Sequence, residues 1–253
     1  MINNHTLQKI KNCIMGCSSK KKIGKKILVV VAHPDDEVLG CGASIAKWAA
    51  AGDSVYILIM AEGVTSRDKV RDRNIKSKEL SMLAKSAQQA CDILGAKSVK
   101  LLDFPDNRMD SIDLLDVIKA VEKELNSLEP DTVVTHHGGD LNIDHRIVHE
   151  AVITACRPQP NNFIRRILAF EVPSSTEWQA PSLSTAFQPN WFEDVSGTIE
   201  YKINALNIYK TEMREWPHAR SIDSVKYLSY WRGSSVGCKM AEAMLLIREI
   251  KDD

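Results

Sequence analysis

Residues 27–42 read Ile27-Leu28-Val29-Val30-Val31-Ala32-His33-Pro34-Asp35-Asp36-Glu37-Val38-Leu39-Gly40-Cys41-Gly42. The first six are apolar and of β-branched character, the pattern of a strand buried on both faces of a parallel sheet. Pro34 has no N–H for a ladder and ends the strand. From Glu37 to Ala51 the spacing turns helical, and Gly52-Asp53 stops it. A buried strand that runs straight into a helix opens a βαβ unit, so this stretch predicts an α/β fold.

The alternation continues outward from there. Strands are expected at 54–61, 98–102, 132–135 and 164–170, with helices at 75–94, 111–128 and 145–156. That order implies right-handed crossovers and a Rossmann-like, mostly parallel sheet flanked by helices. Ligands in such sheets bind beyond the carboxyl ends of the strands. After Glu171 the alternation weakens. Residues 173–198, with Pro173, Pro181, Pro189, Trp178 and Trp191, read as a cap or long functional loop. Helices are expected at 198–215 and 239–250.

The 253-residue chain is 44% hydrophobic and 26% charged, which argues against a mainly disordered, collagenous or coiled-coil chain. Its 33 basic and 33 acidic groups cancel, so the total carries no nucleic-acid footprint. The distribution is uneven. Residues 1–26 hold seven lysines and no acid, leaving 26 basic against 33 acidic groups in residues 27–253. The expectation is a basic, solvated arm over 1–26 and a single domain over 27–253, with peripheral membrane contact as the alternative role of the arm. No apolar run reaches the ~18 residues that span a bilayer. The six cysteines are scattered, and only Cys13 and Cys17 lie close together. These features point to a reducing cytoplasm.

Two segments carry chemistry. His33, Asp35, Asp36 and Glu37 put an imidazole and three acids at the carboxyl end of a strand. Adjacent acids there repel unless a cation or donors compensate. Histidine with carboxylate is a ligand set for zinc and for other divalent first-row metals. The second segment, Thr135-His136-His137-Gly138-Gly139-Asp140-Leu141-Asn142-Ile143-Asp144-His145, follows another apolar strand and belongs on the same rim. Five of the seven histidines fall in or beside these segments: His33, His136, His137, His145 and His149. His145 opens a helix, Asp144 is placed to orient its imidazole, and His149 reads as a solvated or capping residue. The residues alone leave both a metal site and an N-capping acidic turn open.

Together the two segments resemble the PIG-L/LmbE family of zinc-dependent N-deacetylases. Ala32-His33-Pro34-Asp35-Asp36-Glu37 matches the family's A-H-P-D-D-E signature, and Asp140-Leu141-Asn142-Ile143-Asp144-His145 matches its later Asp-His motif. The resemblance covers residues 27–250. It implies removal of an acetyl group from an amino sugar or its conjugate, nucleotide- or lipid-linked forms of glycan biosynthesis included. By motif position it implies His33, Asp36 and His145 as Zn2+ ligands and Asp35 as general base. One departure is Asn142, where some members carry a histidine that stabilises the oxyanion. His137, His136 and His218 are then the candidate second donors. Arg67, Asp106 and Arg108 follow the second and third strands and are expected to contact substrate, with Asn142 and His218. Two other readings stand beside this one: a metal amidase acting on another amide of an amino-sugar conjugate or antibiotic precursor, and a non-catalytic metal-containing binding protein.

Overall fold

Strand β1 (Lys26–Val31) is buried from Ile27 onward, and its side chains alternate between two cores. Val29 and Val31 face helices α1 (Asp36–Ala50), α2 (Ser77–Leu94) and α5 (Ile199–Leu206). Leu28 and Val30 face α3 (Leu114–Leu128) and α4 (Ile143–Ala155). The computed structural model describes residues 24–160, 163–180 and 182–251. Most of the basic stretch 1–26 lies outside them, Cys13 and Cys17 included.

The sheet has seven strands in the order β3-β2-β1-β4-β5-β7-β6. Strands β2 (Ser54–Ala61), β3 (Ser98–Phe104), β4 (Thr132–His136) and β5 (Arg166–Phe170) make parallel pairs with β1 and with one another. The expected mostly parallel α/β sheet is therefore the observed one. The chain steps outward from β1 to β2 and β3, then returns to the other side of β1 for β4 and β5. The connections after β1 and β4 leave in opposite directions, and a crevice opens between their carboxyl ends. His33–Asp36 follows β1 and His137–His145 follows β4. The N–H of Ala32 donates to Nε2 of His136 (2.8 Å), tying the two strand ends together.

Helix α1 is not regular. Cys41 leaves helical geometry (φ −145°, ψ 25°). The N–H groups of Ala43 and Ser44 donate to the Glu242 carboxylate, at 3.1 and 2.7 Å. Lys202 completes this buried cap, its Nζ 2.7 Å from Glu242 and 2.8 Å from the carbonyl of Leu39. Gly40 is required because a Cβ there would meet the Phe170 ring at 2.2 Å.

The C-terminal third differs from expectation. Residues 239–250 are not a helix. Strand β7 (Ala241–Glu249) runs antiparallel between β5 and β6 (Trp191–Asp194). Its Ala, Glu, Met and Leu residues favour a helix locally, but the open edge of β5 offers burial and a hydrogen-bond ladder that outweigh propensity. The helix expected over 198–215 ends at Leu206, and turns follow. They bring the buried Tyr209 hydroxyl to Glu37 (2.7 Å). Helix α6 (Ile222–Ser234), which the periodicity did not reveal, starts at Ser221, whose hydroxyl accepts the Ser224 N–H (3.0 Å). Trp191 lies under the Arg166 guanidinium (4.4 Å).

The Glu242→Ala variant would leave Lys202 as a buried unpaired charge and two helix N–H groups unmet. Its unfolding free energy, measured by urea titration, should fall by about 3 kcal/mol. A change within about 0.5 kcal/mol would mean that this cap contributes nothing.

Candidate metal centre and catalytic pocket

Local backbone chemistry builds the first half of the site. After β1 the chain turns so sharply that Asp35 takes a left-handed conformation (φ 112°, ψ −26°), strained for a residue with a Cβ. The turn is held by its own acids. Asp36 Oδ2 accepts the His33 N–H (2.9 Å), and Glu37 Oε2 accepts the Asp35 N–H (3.0 Å). Glu37 Oε1 is taken by Tyr209. Glu37 is thus spent on structure, and burial pushes its carboxyl up to about 7 against the pull of that hydroxyl.

Asp36 lies at the centre. Its Oδ2 is 3.2 Å from His33 Nδ1 and 3.1 Å from His145 Nε2. One ligand atom from each of His33, Asp36 and His145 lies within 4.8 Å of the other two. Asp36 Oδ1 and His145 Nε2 are buried and have no hydrogen-bond partner. Unmet buried polar atoms are costly, about 1–3 kcal/mol each. Two imidazole nitrogens and a carboxylate oxygen converging this closely fit a divalent cation with a position left for water. Burial opposes the charge on Asp36, but His145 and His33 override it and hold the carboxyl well below its usual range. Burial likewise opposes a proton on His145, and Asp36 raises that imidazole to about 9. The cluster therefore calls for positive charge, supplied by protons or by a metal ion.

Each imidazole is fixed from behind by a different acid. His145 Nδ1 is 3.2 Å from Asp140 Oδ1. Burial works against the Asp140 charge, yet hydrogen bonds from His145, Ser175 and Thr176 hold it at about 2. His33 Nε2 is 3.0 Å from Asp144 Oδ2 and 3.3 Å from Asp106 Oδ1. Asp144 is itself anchored by the N–H groups of Asn107 (2.6 Å) and Met109 (3.0 Å). This corrects the expectation that Asp144 orients His145. Successive residues on a helix point about 100° apart, so Asp144 turns to His33 while His145 turns to Asp36.

Asp35 opens onto a polar pocket of about 170 Å³, whose lining includes Arg67, Asp106, Asn142, Glu212 and Arg220. Its carboxylate accepts a hydrogen bond from Arg220 Nη1 (2.7 Å). Burial raises the Asp35 carboxyl to about 8, with Arg220 pulling the other way. Arg67 reaches the rim and is clamped bidentately by Glu212 (2.8 and 2.7 Å). Asp106 accepts from Ser66, backbone and hydroxyl. Asn142 caps α4 by accepting the Asp144 N–H (2.9 Å), and its amide donates to Asn107 (2.8 Å).

Three expected residues lie elsewhere. His137 Nε2 meets the carbonyl of Thr185 (3.0 Å), and its ring sits against Phe187, facing the 173–198 segment. His218 lines a separate cleft. Arg108 turns outward to the carbonyls of Asp68 and Lys69. His136 stacks on His145 (4.0 Å, 14°) and accepts from Ala32, with burial keeping it neutral; it spaces the cluster and does not face the pocket. Conversely, Arg220, Glu212 and Asp140 were not singled out. Asp140 stood inside the second motif. Arg220 is 185 residues from Asp35, and nothing local marks it.

Comparison with known proteins agrees with this geometry. The profile of the GlcNAc-PI de-N-acetylase (PIG-L) family matches residues 28–156. The "uncharacterized deacetylase YaiS" of Escherichia coli strain K12 is 32% identical over 213 residues, covering 81% of this chain and 100% of that protein. The diacetylchitobiose deacetylase of Thermococcus kodakarensis is 27% identical over 239 residues, covering 88% of this chain and 83% of that one. Among solved structures, the N,N′-diacetylchitobiose deacetylase of Pyrococcus horikoshii superposes with a TM-score of 0.69 over 98% of this chain and 94% of that chain, at 18% identity, a likeness of fold. With both motifs converging at one rim and a family match over half its length, this chain belongs to the PIG-L (GlcNAc-PI de-N-acetylase) family.

Proposed function

We propose that the protein is a zinc-dependent N-deacetylase that hydrolyses the acetamide of an N-acetylated amino sugar or its conjugate. The observation that carries this reading is the buried His33/Asp36/His145 cluster with two unpartnered ligand atoms, beside which the Asp35 carboxylate opens onto a polar pocket. The names of the relatives support the same chemistry. The basic stretch 1–26 is read as a solvated arm appended to a single catalytic domain over 27–253.

His33, Asp36 and His145 would hold the metal, with Asp140 and Asp144 fixing the two imidazoles. A divalent cation bound there supplies a Lewis acid and lowers the pKa of a water molecule. Asp35 takes a proton from the attacking water, because its carboxylate adjoins the cluster and opens onto the pocket. Arg220, a permanent cation 2.7 Å from Asp35, opposes the burial that raises that carboxyl and supplies a donor for the oxyanion in place of the histidine that Asn142 replaces. Asp35 then returns the proton to the departing amine. Water and acetamide become acetate and a free amino sugar. The rim groups Arg67, Asp106, Asn142 and Glu212 offer hydrogen-bond partners for sugar hydroxyls.

The full-length protein should bind about one zinc per chain by elemental analysis and release acetate from an N-acetyl sugar; chelation should abolish turnover and zinc restore it. The Asp35→Asn variant should keep its zinc and lose about 10²–10⁴-fold in kcat. Wild-type turnover in that variant would remove Asp35 as the base. Asp140→Asn, which weakens the hold on His145, should reduce zinc affinity about 10–100-fold in competition with a chromogenic chelator; unchanged affinity would assign Asp140 to folding alone.

A further inference from the structure

Beside the catalytic pocket lies a second, larger cleft of about 460 Å³, lined among others by Pro173, Trp178, Trp216, His218, Ser224 and Leu228. That volume is within the range of small-molecule sites, about 300–1,000 Å³. The two cavities share a wall. Arg220, which lines the catalytic pocket, follows His218 and Ala219 in the chain, both of which line the cleft. Its Nε donates to Ser174 (2.7 Å), the residue after Pro173 on the opposite side.

Three of the five tryptophans in the chain are exposed, and two of them face this cleft: Trp178 (53%) and Trp216 (59%). Neither is loose. Trp178 stands edge-on to His218 (5.7 Å, 78°) and Trp216 edge-on to Tyr227 (5.5 Å, 89°). Perpendicular ring pairs of this kind fix orientation while leaving indole surface open to solvent. His218 Nδ1 accepts the Arg220 N–H (3.0 Å), so its Nε2 carries the ring proton as a donor.

The wall chemistry selects the occupant. Among the described residues no lysine or arginine lines the cleft, while Glu177 and Glu171 do, the latter paired with Arg232 (2.6 Å). A phosphate-bearing carrier has no lining cation to meet there, and Arg232 behind the wall is already held by Glu171. An acyl chain would bury carboxylates against hydrocarbon. Flat apolar rings edged by hydroxyl, imidazole and carboxylate groups suit a pyranose, whose C–H face stacks while its hydroxyls bond at the rim. We infer that this cleft is a saccharide subsite. It holds a second, uncharged or amine-bearing sugar ring linked to the one that is deacetylated, so the substrate is an oligosaccharide. This inference rests on the deacetylase reading above and narrows it from sugar conjugates in general to glycans.

The test is calorimetric titration of the full-length, zinc-loaded Asp35→Asn protein with N-acetylglucosamine, N,N′-diacetylchitobiose and UDP-N-acetylglucosamine. The disaccharide should bind about tenfold tighter than the monosaccharide, and the nucleotide sugar should show no such gain. Adding Trp178→Ala or Trp216→Ala should reduce the disaccharide-to-monosaccharide ratio to about two, and Trp216→Phe should restore most of it. A ratio near one, a ratio that survives both alanine substitutions, or a larger gain for the nucleotide sugar overturns the subsite. Acetate release by the unsubstituted enzyme is scored separately. Release from the monosaccharide with a ratio near one defeats the subsite alone; no binding and no release with any N-acetyl sugar defeats both readings.

Discussion

Asp36 accepts the N–H of His33 and lies within 3.2 Å of one imidazole nitrogen from each of His33 and His145. It is fully buried, and so are its neighbours Asp35 and Glu37. Three consecutive carboxyl groups out of water are tolerable only if each has its own partner. The structure divides the work. Glu37 takes a tyrosine hydroxyl and a backbone N–H. Asp36 takes the two histidines and the cation they imply. Asp35 takes Arg220. Because the partners come from remote parts of the chain, satisfying these acids also ties α1, α4 and the segment before α6 into one site.

This division explains why adjacent, chemically identical residues have different roles. Asp36 opens α1 and points under the crevice. Asp35 occupies a strained left-handed turn and opens onto the pocket. On the proposed reading, two adjacent acids serve as ligand and as base. The strain at Asp35 is borne by the hydrogen bonds of the turn. Behind the imidazoles, Asp140 and Asp144 make the same kind of contact to different rings, which leaves the nitrogens facing Asp36 free of other partners.

Most of the parallel half of the fold was legible in the sequence. The apolar run of β1, its stop at Pro34 and the strand–helix alternation through residue 170 depend on local periodicity, which survives in any α/β context. The C-terminal third was not, because its choice between helix and strand was made by an edge. Residues 241–249 became a strand since β5 had an unpaired side to cover. The site divides in the same way. Asp35, Asp36, His33 and His145 were marked by clustering at strand ends, where charge is otherwise costly. His137 and His218 carried the same side chain and no such constraint, and both turned toward other surfaces.

The sequence by itself determined that an α/β sheet would present two acidic, histidine-rich loops at the carboxyl ends of its strands, because hydrophobic periodicity and charge placement are local properties. Only the tertiary structure decided which acid serves which histidine and that Arg220 answers Asp35. It also decided that an aromatic cleft adjoins the pocket. Those outcomes depend on the switch in strand order between β1 and β4 and on how the last eighty or so residues fold back over the rim. Contacts between groups that far apart in the chain are set by packing and by the demand of buried charge for a partner, and neither leaves a periodic trace along the chain.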